Sequence, residues 1–262
     1  MNNYHAPTRF VGKNSKYLDI CPSTNSLALS EALNEDLPEG FAWIAGHQTA
    51  GRGQRGNTWN AEPNQNLTFS LLLRPPHRLL DKQFYLSKAI ANGILAGLEA
   101  WSRAHQGESF NFEIKWPNDI YLDGVKMGGI LIENNFQAGQ WSFSIIGIGL
   151  NINQKQFENI RGTSLRSYLQ LNQEIALTEI YAYLSQGIEE SYALFTSEQF
   201  DKIDEIYHER LFRRSQWALY EAANEQFEGK IIRVNEQGLL EMEKEFTVES
   251  YDLKEISFIF PA

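Results

Sequence analysis

The order of apolar and polar positions in the first hundred residues predicts helices and strands in alternation. Residues 41–45 and 67–73 are mostly apolar runs of strand length, and a Pro75-Pro76 dipeptide ends the second run. Residues 24–33 begin with Ser, Thr and Asn side chains that can cap a short helix. Residues 84–101 carry apolar side chains at helical spacing and predict a core-packed helix: Ile90, Ile94, Leu98 and Trp101.

The middle of the chain predicts a meander of strands. Residues 111–116 alternate, so that the apolar and the charged side chains, Lys115 among them, lie on opposite faces. An Asp123-Gly124 dipeptide is a strong hairpin signal between residues 120–122 and 125–133. Residues 141–148 supply another strand. We therefore expect a sheet in which Lys115 points away from the hydrophobic core.

The pattern changes at Arg213-Arg214. Before this point two helices are predicted, over residues 177–195 and 200–212. After it, short strands are separated by turns, over residues 217–220, 229–234, 239–242 and 258–260, with a turn at residues 235–238. We expect a larger domain over residues 1–213 and a small β-barrel domain over residues 214–262.

Composition excludes several classes of protein. The chain has 262 residues, 42% of them hydrophobic, and a formal net charge of −10, which argues against broad nucleic-acid binding. No apolar run reaches the length of a membrane span, and residues 1–10 lack the apolar segment of a secretory signal, so we expect a cytoplasmic protein. The single cysteine, Cys21, cannot form an internal disulfide and is interpreted as a small apolar residue.

A long connection over residues 46–66 contains Gly51-Arg52-Gly53-Gln54-Arg55-Gly56, which matches the dinucleotide-binding pattern G-x-G-x-x-G. The residues that follow, from Asn57 to Asn64, do not begin a helix, so that interpretation fails. Walker A and protein-kinase patterns are also missing from the sequence. Two arginines in a glycine-rich loop can instead bind carboxylate or phosphate oxygens, although composition alone is equally typical of a mobile surface turn.

Three further segments carry polar groups at strand ends. The segment Lys115-Trp116-Pro117-Asn118-Asp119 combines a strand lysine with a proline and two polar side chains, although a lone lysine there is usually solvated. Gly128-Gly129 lies beside Lys126 and indicates either close approach to a ligand or a β-bulge. The segment from Gly147 to Asn153 likewise places glycines and asparagines at the end of another strand.

Taken in order and spacing, these motifs resemble the biotin protein ligases. The resemblance rests on Ser23-Thr24-Asn25, Gln48-Thr49-Ala50-Gly51-Arg52-Gly53, Trp59, Lys115-Trp116-Pro117-Asn118-Asp119, Lys126, Gly129-Ile130-Leu131-Ile132-Glu133 and Gly147-Ile148-Gly149-Leu150-Asn151. It covers about residues 19–153 and implies an α+β catalytic domain, a mixed sheet backed by helices, followed by an SH3-like domain. Since about 20 residues precede Ser23, the resemblance is to the short class without a DNA-binding domain, and no DNA partner is expected.

The resemblance also implies roles for individual residues. Lys115 and Arg52 would be catalytic. Biotin would be bound by Ser23, Thr24, Asn25, Gln48, Gly51, Arg52, Gly53, Gln54, Lys115, Gly129, Ile130, Leu131, Gly147 and Gly149. ATP, with a magnesium ion on its phosphates, would be bound by Arg52, Arg55, Trp59, Asn118, Lys126 and Asn151. Gln54 and Asn57 depart from the family, which usually has arginines at these positions.

The implied activity is ATP-dependent formation of biotinyl-5'-AMP and transfer of biotin to a lysine of a biotin carboxyl carrier domain of a biotin-dependent carboxylase. In the second step Asp119 is a candidate acceptor of the lysine's proton. A lipoate protein ligase and a catalytically inactive peptide-binding adaptor are the alternatives. Neither the metal ligands nor the choice between monomer and homodimer follows from the sequence.

Overall fold

The computed structural model describes residues 4–157 and 162–260. The helices are α1 (Thr24–Asn34), α2 (Gln83–Gln106), α3 (Leu165–Tyr168), α4 (Leu177–Thr196) and α5 (Phe200–Glu209). The first sheet contains β1 (Ser15–Cys21), β2 (Ala42–Gln48), β3 (Leu67–Leu73), β4 (Phe112–Lys115), β5 (Asp119–Leu122), β6 (Val125–Gln137) and β7 (Gln140–Leu150). The second contains β8 (Trp217–Ala222), β9 (Glu225–Val234), β10 (Leu240–Lys244), β11 (Thr247–Tyr251) and β12 (Ile256–Phe258).

The first sheet has seven strands in the order β1-β2-β3-β7-β6-β5-β4. Strands β1 and β2 are parallel, whereas the other neighbouring strands are antiparallel. The predicted mixed sheet backed by helices is confirmed. The hairpin predicted at Asp123-Gly124 joins β5 to β6 as expected.

Both faces of the central strands are covered, which explains why β2 and β3 read as nearly unbroken apolar runs. On one face, Ile44, Phe69 and Ile146 belong to the main core with the buried faces of α2 and α4. On the other face, Trp43 and Leu72 pack with residues of α1. Since successive side chains point to opposite faces, a strand buried on both sides needs apolar residues throughout.

Helices α2 and α4 pack closely because glycines meet at their crossing. A methyl group placed on Gly93 would lie 2.6 Å from Cα of Ile188 and 2.7 Å from the carbonyl oxygen of Gly187. Such distances leave no room for a side chain. The two helices therefore form one tight layer behind the sheet.

The second sheet has the order β11-β10-β9-β8-β12, with all neighbours antiparallel. The β structure predicted for residues 214–262 is confirmed as a second antiparallel sheet, but its barrel is not closed within the described part of the chain, where β11 and β12 are the two edges. Closure requires the first and last strands to pair. Strand β12 contributes three residues, and they pair with β8.

Buried polar contacts attach the second sheet to the helices. The ammonium of Lys88 in α2 is fully buried, 2.6 Å from Oδ1 of Asp204 in α5 and 2.8 Å from the carbonyl oxygen of Val234 in β9. The backbone N–H of Val234 donates to Nε2 of His208 at 2.9 Å. Burial lowers the pKa of Lys88, and the Asp204 carboxylate opposes this effect.

Most predicted helices and strands are confirmed, with shifts at their ends. The helix predicted over residues 200–212 was too long, because α5 ends at Glu209. Beyond it the chain joins the first sheet: the N–H of Ile114 donates to the carbonyl oxygen of Arg210 at 2.8 Å, and the N–H of Phe212 donates to that of Ile114 at 3.0 Å. Backbone groups that are used this way cannot continue a helix.

Strands β1 and β11 were not predicted. Both are edge strands, and most of their side chains are exposed or partly exposed. Neither carries a clear apolar face, so the pattern that identifies a half-buried strand is weak. No helix in the described ranges is long and apolar enough to cross a membrane.

Candidate active site

A cavity of about 340 Å³ brings the sequence motifs together. Its wall is built from the start of α1, the loop after β2, the start of β3, the turn between β4 and β5, the first half of β6 and the end of β7. Of the residues predicted for the site, it contains Ser23, Thr24, Asn25, Gln48, Arg52, Gly53, Gln54, Trp59, Lys115, Asn118, Lys126, Gly129, Ile130, Leu131, Gly147 and Gly149.

Three predicted site residues are not placed in this wall. Gly51 and Asn151 lie outside the lining, and the side chain of Arg55 lies outside the described part of the structure. Asn151 is buried, with its backbone N–H donating to the carbonyl oxygen of Met127 at 2.8 Å. Asn118 does line the cavity, and its Nδ2 donates to the carbonyl oxygen of Ile130 at 2.7 Å.

One end of the cavity is formed by neutral hydrogen-bonding groups. Ser23 caps α1, and Oε1 of Gln48 accepts from the N–H of Thr24 at 2.6 Å and from its hydroxyl at 3.1 Å. The Ser70 hydroxyl lies 2.7 Å from Oγ1 of Thr24 and 2.6 Å from Oδ1 of Asn25. Because these contacts fix each side chain, this end presents amides and hydroxyls in set positions.

Glycines in β7 make room for two of these side chains. A methyl group on Gly147 would lie 2.2 Å from Oδ1 of Asn25, and one on Gly149 would lie 2.5 Å from Cε2 of Trp59. The indole therefore packs flat on the strand. Its Nε1 is buried and has no hydrogen-bond partner among the described residues, so it is available to an acceptor atom of a ligand.

The other end of the cavity is cationic. Lys126 Nζ lies 2.6 Å from Oδ1 of Asp119, and Lys115 Nζ lies 3.9 Å from Oδ2 of the same carboxylate. Arg52 pairs with Glu133, with Nη2 at 2.6 Å from Oε1, and Glu133 also accepts from Asn25, so this ion pair lies beside the neutral end. At the cationic end two lysines share the Asp119 carboxylate, and an anionic ligand bound there would meet an excess of positive charge.

Lys115 is more enclosed than the alternation indicates. It does point away from the main core, as predicted, but its side chain is only 16% exposed. Burial lowers its pKa, an effect that Asp119 opposes and that Lys126 and Arg213 reinforce. The ring centroid of Phe258 lies 4.4 Å from Nζ.

Some of the lining was not found from the sequence. Thr68 and Phe69 in β3 line the cavity, but they lie in a run that reads as buried core. The signal that could have identified this strand is a pair of polar residues, Thr68 and Ser70, in an otherwise apolar run. Leu253 reaches the cavity from the second sheet, and no local pattern marks it.

Metal-ligating side chains do not cluster in the described ranges: no three His, Cys, Asp or Glu residues come together. Within the cavity wall the available carboxylate is that of Asp119. Magnesium bound to a nucleotide usually takes one or two carboxylates together with phosphate oxygens. Asp119 is already bonded to Lys126, at 2.6 Å, so the described residues of the wall offer magnesium no free carboxylate.

The sequence profile of the biotin/lipoate A/B protein ligase family matches residues 17–151. The bifunctional ligase/repressor BirA of Bacillus subtilis is 35% identical over 148 residues, 56% of this chain and 43% of that protein. The biotin--[acetyl-CoA-carboxylase] ligase of Mycobacterium tuberculosis is 34% identical over 150 residues, 55% of this chain and 52% of that protein. The chain thus aligns with about half the length of these curated relatives.

Solved structures share the fold over nearly the whole chain. The biotin protein ligase from Aquifex aeolicus in complex with biotin and ATP superposes with a TM-score of 0.75 at 22% identity, covering 94% of this chain and 98% of that one. The biotin protein ligase from Leishmania major in complex with biotin gives a TM-score of 0.59 at 21% identity, with 91% and 98% covered. At this identity the likeness shows that the fold is shared.

Proposed function

The chain belongs to the biotin/lipoate A/B protein ligase family, and on that premise we propose that it forms biotinyl-5'-AMP from biotin and ATP and transfers biotin to a lysine of a carrier domain. The observation that carries the proposal is the division of the cavity into a neutral end and a cationic end. Biotin has the matching parts: a neutral ureido ring that hydrogen-bonds and a carboxylate on an aliphatic chain.

The neutral end favours biotin over lipoate as the acid. Thr24, Asn25 and Gln48 hold donors and acceptors that a ureido group can satisfy. The dithiolane ring of lipoate has no such groups and could not use these donors and acceptors. A site built to hydrogen-bond its substrate discriminates strongly against an analogue that lacks those groups.

The cationic end fits the first step of the reaction. The biotin carboxylate, ionised at neutral pH without a general base, attacks the α-phosphorus of ATP. A new P–O bond forms, the α–β anhydride bond breaks and pyrophosphate leaves. Lys115 and Arg52 would stabilise the charge where these two anions meet, which is the largest expected contribution to the rate. Magnesium would arrive with the ATP phosphates.

The second step needs a route for a lysine side chain. A further cavity of about 300 Å³ adjoins the first and shares with it Gln54, Pro117, Asn118 and Ile130. The rest of its wall carries no charge: Gln83, Phe84, Ser87, Ile132, Asn134 and Gln237. A neutral wall suits an amine, which must lose its proton before it attacks the acyl carbon and releases AMP.

Asp119 is the proposed acceptor of that proton. It lines the first cavity beside Asn118, where the two cavities meet. Its carboxylate must then exchange Lys126 for the incoming amine, since one oxygen is already 2.6 Å from that lysine. The carrier domain of a biotin-dependent carboxylase is the acceptor that the curated relatives' names favour.

The test is exchange of labelled pyrophosphate into ATP, run with biotin, with lipoate and with neither acid. We expect exchange with biotin and magnesium. Exchange with lipoate instead would indicate a lipoate protein ligase. No exchange with either acid would favour a catalytically inactive adaptor. The second step is then tested by adding a biotin carboxyl carrier domain and measuring a mass increase on one lysine.

A further inference from the structure

Lys115 and Phe258 are brought together by tertiary structure alone. Lys115 ends β4 in the first sheet, and Phe258 ends β12 in the second. The ammonium lies 4.4 Å from the centroid of the phenyl ring. That is within the roughly 6 Å over which a cation is attracted to an aromatic face. Because Lys115 is largely buried, water does little to weaken the attraction.

The ring of Phe258 is held from behind. Tyr220 meets it edge to face, with centroids 5.1 Å apart and planes at 70°. Phe212 stacks against it at 6.4 Å and 25°. Strand pairing also fixes the position, since Phe258 lies opposite Tyr220 in the β12–β8 ladder. The aromatic face is therefore presented to Lys115 by a supported side chain.

Three charged groups act on the same ammonium. Asp119 in β5 attracts it but lies 3.9 Å away and is closer to Lys126, at 2.6 Å. Lys126 in β6 and Arg213, just before the second sheet, both disfavour its charge. Asp119 is thus shared between two ammonium groups, and among the described residues the aromatic face of Phe258 also favours the charged form of Lys115.

We propose that Phe258 is a positioning residue for adenylate formation, in which the second sheet holds the Lys115 ammonium at the point where the acid's carboxylate meets the α-phosphate. The part of the proposal that concerns the reaction rests on the proposed function, whereas the contact between Lys115 and Phe258 rests on geometry. It also gives the second sheet a direct part in the first step, in addition to the lining residue Leu253.

The sign of the effect on titration follows from the contact. Burial already lowers the pKa of Lys115. A cation over a ring favours the protonated form, so Phe258 opposes that lowering. Replacement of the ring by an aliphatic side chain that keeps Lys115 buried should lower the pKa further. As pH rises, Lys115 would then lose its reactive protonated form at a lower pH than in the wild type.

The test compares Phe258→Leu with Phe258→Trp in the full-length protein. Leucine keeps apolar packing against Tyr220 and Phe212 but has no aromatic face, whereas tryptophan restores one. The matched control is Phe246→Leu, which removes a fully exposed phenylalanine from the same sheet. We expect biotin-dependent pyrophosphate exchange to fall about 2-fold to 30-fold in Phe258→Leu, with its alkaline limb at lower pH, and to recover in Phe258→Trp.

A second measurement does not depend on activity. Each variant is labelled briefly with an acylating reagent over a range of pH, and modification of Lys115 is measured by mass spectrometry, with Lys244 as an internal reference. We expect the Lys115 midpoint to move to lower pH in Phe258→Leu only. An identical midpoint in wild type and Phe258→Leu would overturn the proposal, whereas a shifted midpoint in a protein without exchange activity would overturn the proposed function alone.

Discussion

The guanidinium of Arg52 and the carboxylate of Glu133 form a two-point ion pair, with Nη2 at 2.6 Å from Oε1 and Nη1 at 3.1 Å from Oε2. Oε2 also accepts from Nδ2 of Asn25 at 3.0 Å. Glu133 therefore connects the glycine-rich loop to β6 and to the start of α1. Through Arg52, the glycine-rich loop is held by two side chains outside it, those of Glu133 and Ser26.

Glu133→Gln should loosen this loop with little effect on global stability. The Arg52 side chain is 44% exposed, and a pair that is open to water contributes only about 0–1 kcal/mol. We expect faster tryptic cleavage after Arg52 and a fall in Tm of less than about 4 °C. The control is Glu236→Gln, which breaks the surface pair with Lys82. Equal cleavage rates in the three proteins would contradict the prediction.

Lys115→Ala should abolish adenylate formation while the protein stays folded. We expect a loss of at least about 10²-fold, the scale for removing one preorganised charge donor. Removal of a buried ammonium costs no main-core packing, so the far-UV circular dichroism should not change. Lys244→Ala is the matched control, since Lys244 also lies over an aromatic ring, at 4.6 Å from the Phe227 centroid. Adenylate formation within a few-fold of wild type would refute the assignment.

Gln54→Arg should slow release of the adenylate without changing its rate of formation. Gln54 lines both cavities and is neutral, whereas the adenylate keeps one phosphate anion. A hydrogen bond from a charged donor is stronger than a neutral one by on the order of 1 kcal/mol, which is several-fold in residence time. The measurement is a pulse-chase assay of the rate at which each variant releases the adenylate. If Gln54→Arg and Gln54→Asn release it equally fast, the side chain does not contact the intermediate.

His208 should make the junction of the two sheets sensitive to acid. Burial lowers its pKa, and its Nε2 accepts from the N–H of Val234, so the folded protein holds it neutral. Because the unfolded chain binds the proton more readily, the stability from this contact is full above about pH 6.5 and is lost as pH falls below it. The urea midpoint should drop between about pH 7.5 and about pH 5.5.

The matched variants for this effect are His208→Gln and His5→Gln. The first removes the buried group, and the second removes an exposed histidine near the N-terminus. We expect the dependence of the urea midpoint on pH to be smaller in His208→Gln and unchanged in His5→Gln. If the urea midpoint of His208→Gln depended on pH as strongly as that of the wild type, the acid sensitivity would come from other groups.

The sequence alone determined the elements that local pattern specifies. Residues 67–73 were predicted as a strand and form β3, and the Asp123-Gly124 hairpin joins β5 to β6. The order of the motifs from Ser23 to Asn151 was also sufficient for the family, because the motifs are specific when they occur together in one order and spacing, although each alone has an ordinary structural explanation. Strand β1 was not predicted because an exposed edge strand needs no apolar periodicity.

Tertiary structure alone decided which charges and rings meet at the site. The pairing of Arg52 with Glu133 and the contact of Lys115 with Phe258 join residues far apart in the chain. Periodicity says which side of a strand a residue occupies, but not which distant element packs there. The open form of the second sheet, and its contribution of Leu253 to the cavity, follow from long-range pairing and docking that no local pattern encodes.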